Sequence, residues 1–112
     1  LLIIMTDISI KNIFEKIPAS LNEEFYEDII TSGNFKLERI VSEGQSTPEN
    51  FWYDQDKNEF VILIRGSAEL LFENDEKIKL KPGDYLIIPA HKKHRVLKTD
   101  TTQKTFWLAL HY

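Results

Sequence analysis

Two stretches of the chain concentrate side chains able to hold a ligand or move a proton. The first runs Trp52-Tyr53-Asp54-Gln55, reaches Glu59, and has Gly66 seven residues after that Glu. The second runs Gly83-Asp84, then Pro89, then His94 five residues after the Pro. Other chemistries lack their parts. The chain has no cysteine, which removes disulfides, thiolate zinc sites, iron–sulfur clusters and cysteine nucleophiles together. No serine sits in a nucleophile elbow, three histidines are too few to suggest a relay, and no glycine loop of phosphate-cradling spacing is present. Of the other histidines, His91 lies in a loop with Lys92 and Lys93 and reads as a solvated rim. His111 follows Trp107 and Ala109 at period two on the last apolar run, and either an inward or a surface position fits it. Glu38 and Arg39 are neighbours on an extended run. One of them must face inward or onto an interface, where its charge needs a partner.

These residues must be positioned by strands. Phe25 to Ile30 is a plausible strand, closed by Thr31-Ser32-Gly33-Asn34. Phe35 to Ser42 alternates Phe35, Leu37, Arg39, Val41 against Lys36, Glu38, Ile40, Ser42. Short strands are expected at Phe51–Tyr53, Glu59–Ile64, Ala68–Glu73, Lys77–Leu80, Tyr85–Ile88, His94–Lys98 and Lys104–Tyr112, separated by Gly, Pro, Asn and Asp signals. The unbroken apolar run Glu59–Ile64 predicts a strand buried on both faces. Lys77, Lys79 and Lys81 alternate as a solvated edge-strand face. About nine strands at this spacing make an antiparallel sandwich or barrel. One short helix is expected over Ile8–Ile17, where Ile10, Ile13, Phe14 and Ile17 recur at helical spacing before Pro18.

The chain has 112 residues, 42% of them hydrophobic and 29% charged, with a formal net charge of −4. That is one globular domain, 1–112, with an N-terminal extension over 1–24 and a barrel over 25–112. The mild acidity argues against a general electrostatic grip on nucleic acid. The opening apolar run Leu1–Met5 is too short for a membrane span and lacks the flanks of a signal peptide. A cytoplasmic protein is expected, and Met5 is a candidate natural start.

The two stretches resemble the two sequence motifs of the cupin superfamily, small double-stranded β-helix (jelly-roll) barrels. Glu59 and Gly66 fit the end of the first motif, and Gly83, Pro89 and His94 fit the second. The resemblance covers roughly Phe35 to Tyr112. The chain also looks like a narrower group of short cupins with a Trp-Tyr-Asp-Gln box. It implies an all-β antiparallel jelly roll and, in many members, an inward metal centre of three His and one Glu. This chain departs from that pattern, because both paired histidines of the first motif are missing. In the favoured register they fall on Tyr53 and Gln55, which would share a strand face.

What the resemblance leaves as a metal set is Gln55, Glu59 and His94, with Tyr53 beside them as the candidate acid/base group. A carboxylate, an amide oxygen and a neutral imidazole can hold a divalent ion, and an oxygen-rich set leans toward manganese or iron over zinc or nickel. The bland alternative is a polar pocket in which Glu59 and His94 pair with each other and Gln55 satisfies what remains. Three functions follow: a barrel binding a divalent metal, a small anionic or sugar-like ligand, or both; a metal-dependent dioxygenase, isomerase or lyase; or a non-catalytic interaction module. Edge strands left by one small jelly roll favour a homodimer.

Overall fold

The structure, a computed structural model, describes residues 8–112. It consists of eight strands among those residues: β1 Phe25–Ser32, β2 Phe35–Ser42, β3 Glu59–Arg65, β4 Ala68–Phe72, β5 Lys77–Leu80, β6 Tyr85–Ile88, β7 His94–Thr99 and β8 Thr105–His111. They form a five-stranded sheet in the order β1-β2-β8-β3-β6 and a three-stranded sheet in the order β5-β4-β7. Every pairing is antiparallel. The fold is therefore all-β, as the turn spacing required.

The alternation read in β2 sets the layout. Glu38 and Ile40 turn toward the interior, while Arg39 turns out, because successive side chains leave opposite faces of a strand. Cross-strand register carries the inward row onward: Lys36 pairs with His111, which pairs with Glu59, which pairs with Ile88. Between the sheets, Val61, Leu63, Leu70, Phe72, Leu80, Ile88 and Trp107 form the apolar core with Ala68 and Ala109. Each large member contributes roughly 1.5–3 kcal/mol by leaving water.

Three expectations from the sequence are corrected. Strand β3 is not buried on both faces. Glu59, Val61 and Leu63 are buried and Phe60, Ile62 and Ile64 only half-buried, because the second sheet covers one face alone. The short strand at Phe51–Tyr53 shrinks to a single bridge, Tyr53 to His94, among the described residues, held by Tyr53 N–H to His94 O at 2.8 Å and His94 N–H to Tyr53 O at 3.2 Å. Eight strands and a bridge replace nine strands.

The third correction is the N-terminal helix over Ile8–Ile17, which is absent; the segment is irregular with one turn near Ile13 and Phe14. Four β-branched Ile in ten residues disfavour a helix, and one this short does not meet its own nucleation cost. Tertiary bonding settles the competition. Arg39 on β2 takes the carbonyls of Ile13 at 3.0 Å and Glu15 at 2.7 Å through Nη1, and Lys16 at 3.4 Å through Nη2. Its charge is met by Glu27 at 3.0 Å. A buried guanidinium needs these partners, and they tie the segment across the outer face of β2.

Candidate functional site

At the Glu59 end of β3 the two sheets enclose a cavity of about 90 Å³. That is room for several waters, or for one ion with its remaining shell, at the ~10–15 Å³ of such volume each water needs. Tyr53, Gln55, Glu59 and His94 all line it. The structure therefore brings together the four residues singled out in the two motifs. His94 enters at the start of β7, where its backbone bridge to Tyr53 ties the second motif to the first. The Tyr53 ring stacks on the imidazole, centroids 5.6 Å apart at 27°.

The His94–Glu59 pair has an unusual polarity. His94 Nδ1 lies 2.9 Å from the Lys92 carbonyl oxygen. A carbonyl only accepts, so Nδ1 carries a proton, and in the neutral imidazole Nε2 then presents its lone pair. That lone pair faces Glu59 Oε1 at 3.7 Å. The Glu59 oxygen is buried and has no hydrogen-bond partner. With a neutral imidazole, two acceptors face each other in a wall only 6% and 8% exposed. Burial pushes the Glu59 carboxyl up from its ordinary value, and His111 and His94, in their protonated forms, only partly oppose this. The arrangement calls for a proton or a cation between the two groups.

Sequence reasoning missed part of the wall. Glu38 and His111 also line the cavity, joined through His111 Nε2 and Glu38 Oε1 at 2.7 Å. The period-two position of His111 beside Ala109 and Trp107 was the available signal, and it left an inward and a surface position open. Glu24 and Tyr26 line the cavity too. The Tyr26 hydroxyl donates to Glu24 Oε1 at 3.1 Å, Ser42 donates to Glu24 Oε2, and Trp107 Nε1–H donates to Ser42 Oγ at 3.1 Å. Burial, then the nearby Glu24 and Tyr53, push the Tyr26 phenol far up, so it stays a neutral donor. Nothing in the N-terminal extension marked Glu24. His91 stays outside, on the rim, paired with Asp54 at 2.8 Å. Among the described residues no three His, Asp or Glu side chains converge as a ready-made metal cage. The lining includes no Lys or Arg.

The Glu38–His111 pair sets a pH dependence. Its hydrogen bond to Glu38 raises the His111 pKa against the pull of burial. Burial opposes ionisation of Glu38, but the His111 bond and charge, with Lys36, outweigh it and hold that carboxyl below its usual range. His111 therefore adds stability that is full below its unfolded value of about 6.5 and is lost as pH rises through its folded value. Glu38 adds stability that is full above about 4.3 and is lost as pH falls through its folded value. In thermal melts, wild type should exceed His111→Gln by about 1 kcal/mol near pH 5.5, and the gap should shrink by about pH 8.5. A gap that does not change with pH would contradict this pairing.

A family model described as a cupin domain matches residues 37–111. A solved structure from Ralstonia eutropha JMP134, provisionally named a mannose-6-phosphate isomerase, is 38% identical, with a TM-score of 0.88 over 92% of this chain and 96% of that one. A cupin superfamily protein from Desulfitobacterium hafniense DCB-2 is 23% identical, with a TM-score of 0.70 over 85% of this chain and 82% of that one. An RmlC-like cupin protein from Desulfovibrio desulfuricans is 18% identical, with a TM-score of 0.70 over 94% and 97%. No curated protein matches the chain.

Proposed function

The chain belongs to the cupin-domain family, and on that premise we propose that its barrel takes up a divalent cation between Glu59 and His94, with the Gln55 amide beside them, as the seat for a small polar ligand. The observation that carries this is the partnerless Glu59 Oε1 facing the lone pair of His94 Nε2. A cation satisfies both acceptors, whereas an anion would meet Glu24, Glu38 and Glu59 with no Lys or Arg in the lining. For this reason the cation, with a neutral hydroxyl-bearing ligand, is preferred to the anionic ligand. Oxygen-rich donors plus one imidazole suit manganese or iron before zinc or nickel. A bound ion would act as a Lewis acid on a ligand oxygen. The chain's own part is to hold the His94 tautomer through Lys92, keep Tyr26 protonated, and fix Glu24 through Ser42.

The test is thermal stability against added manganese, iron(II), zinc and nickel. At about 100 times its Kd a metal stabilises by ~2.7 kcal/mol, which for a domain of this size is a rise of roughly 10 °C. His94→Ala should abolish the rise. If no metal shifts wild type, the non-catalytic reading stands instead.

A second reading is a metal-dependent enzyme, an isomerase before a dioxygenase or lyase. Tyr53, a group able to move a proton, lines the cavity where the ion would sit between Glu59 and His94. The provisional name of the Ralstonia relative points the same way. A sugar phosphate could place only its hydroxyls inside, since no Lys or Arg lines the cavity and His111 is already paired with Glu38.

We further propose a homodimer, and place the protein in the cytoplasm on its cysteine-free composition; among the described residues no helix is long and apolar enough to cross a membrane. The outer face of the larger sheet supports the dimer. Ile87 pairs with Phe60 and Phe60 with Leu110; Tyr85 pairs with Ile62 and Ile62 with Leu108. Tyr85 is 65% and Ile87 57% exposed, in a continuous apolar patch of the kind that marks association. Ile87→Glu should raise the dimer Kd by about 100-fold in sedimentation velocity, the ~2.7 kcal/mol of an interface hot spot. Wild type sedimenting as a monomer at every concentration would sink this proposal.

A further inference from the structure

The opposite end of the barrel carries a second polar feature, with the reverse charge. Strand β3 begins at Glu59 and ends at Arg65, so the two ends lie roughly 20 Å apart along the strand. Around Arg65 the N-terminal segment and the start of β8 form a groove of about 330 Å³. Its charged lining is Lys16, Arg65 and Lys104, with Gln103 beside them and no carboxylate. In a chain of net charge −4 this local excess is not a property of the general surface.

The groove is built around Arg65. Its guanidinium lies 3.8 Å over the Phe14 ring and 5.8 Å from the Phe106 ring centroid. Those rings meet edge to face, with centroids 5.0 Å apart. Stacking holds the guanidinium plane while leaving its N–H edge free for a ligand. Among the described residues no carboxylate pairs with Arg65 or Lys16. Lys104 is partly committed, to Glu43 at 3.1 Å and the Ala19 carbonyl at 2.9 Å. Two uncommitted cations, one of them pre-oriented, plus an amide are the equipment for an oxyanion. A planar guanidinium fork matches two oxygens of a phosphoryl group at once.

We infer that this groove binds the phosphoryl group of a small phosphorylated molecule, at a site separate from the barrel cavity. The inference does not rest on the cation reading, because none of its residues lines that cavity. The experiment is an amide-resolved NMR titration at low ionic strength with inorganic phosphate and with glycerol phosphate, using glycerol as the uncharged control. Both phosphates should shift the amides of Gly66, Gln103 and Phe106, and glycerol should not. Tighter binding of the ester would identify an organic phosphate as the ligand, and equal binding a free phosphate. Arg65→Met keeps an apolar stem on Phe14 and should weaken binding at least about tenfold, equivalent to ~1.4 kcal/mol. Lys16→Gly removes a charge at a left-handed backbone position, φ 57°, where glycine is at ease. It should weaken binding about threefold, or ~0.65 kcal/mol, and it carries the test should the Arg65 variant not fold. Lys77→Met, on the exposed edge strand β5, should change nothing. Absence of shifts at the groove amides, binding that persists in the groove variants, or an equal loss in Lys77→Met would overturn the inference.

Discussion

Glu59→Gln is expected to do two opposite things: abolish the metal-induced rise in Tm and make the metal-free protein more stable. The first follows from replacing an ionisable oxygen donor by a neutral amide beside the single imidazole of the site. Apparent metal affinity should fall by at least about 100-fold, the upper range for disturbing ligand or supporting groups. The second follows from burial. The Glu59 carboxyl is 8% exposed and one of its oxygens has no hydrogen-bond partner, so its ionised form is held in a wall that does not solvate it. Replacing a buried charge by a neutral group of equal volume stabilises by about 1–2 kcal/mol in such settings, or roughly 4–8 °C here. Because the folded pKa is raised by burial, the cost of ionised Glu59 is absent below the unfolded value of about 4.3 and grows as pH rises toward the folded value. The advantage of Glu59→Gln should therefore be larger at neutral pH than at pH ~4. A purely structural Glu would give the reverse, a variant less stable at every pH. Melting curves with and without manganese, at two pH values, separate the cases.

The largest loss of stability is expected for Gly66→Ala, at the turn between β3 and β4. Gly66 has φ +91°, a conformation that side-chain-bearing residues rarely adopt. A Cβ there would lie 2.4 Å from Thr105 Oγ1, 2.7 Å from Thr105 Cα and 2.9 Å from Thr105 Cβ. Rotating the Thr105 side chain relieves only the first contact, because its Cα is backbone. Thr105 is fully buried and bonds to the Ser67 carbonyl at 3.2 Å, so it has nowhere to retreat. Strain of ~1–3 kcal/mol for the dihedral and ~1–3 kcal/mol for overpacking give a loss of about 2–6 kcal/mol. The control is Gly33→Ala. Gly33 also has positive φ, +56°, but nothing lies within 4 Å of its Cβ position, so only the left-handed cost of ~1–2 kcal/mol applies. Chemical denaturation of both variants gives the comparison. Equal losses would show that conformation alone, and not the approach of β8, selects glycine at position 66.

The same two positions show why so much was legible in the chain. Glu59 and Gly66 bracket a seven-residue strand, and the turn after it leaves no room for a side chain. The motif therefore encodes a strand length and a close approach together. His94 was legible for a similar reason, since a strand led by Pro89 and a loop must start where it meets Tyr53. Period-two alternation in β2 and β8 placed Glu38 on the opposite face from Arg39 and gave His111 the same face as Ala109.

What was not legible depended on partners distant in sequence. The stretch Ile8–Ile17 has the apolar spacing of a helix, but Arg39, some 25 positions away, takes its carbonyls. Local periodicity carries no information about that competitor. Glu24 reaches the cavity only because β1 pairs with β2 and Ser42 then fixes its carboxylate. The one-sided burial of β3 also escaped, because an apolar run reads alike whether a second sheet or a partner molecule covers its far face.

The most direct test of the central claim is the position of an anomalous-scattering peak in crystals grown with manganese. A peak is expected inside the barrel within about 2.0–2.3 Å of both His94 Nε2 and Glu59 Oε1, the distances of first-row metal bonds, with the Lys92 carbonyl still accepting from His94 Nδ1. A barrel with no anomalous density at saturating manganese, or density only at the rim beside His91 and Asp54, would contradict it.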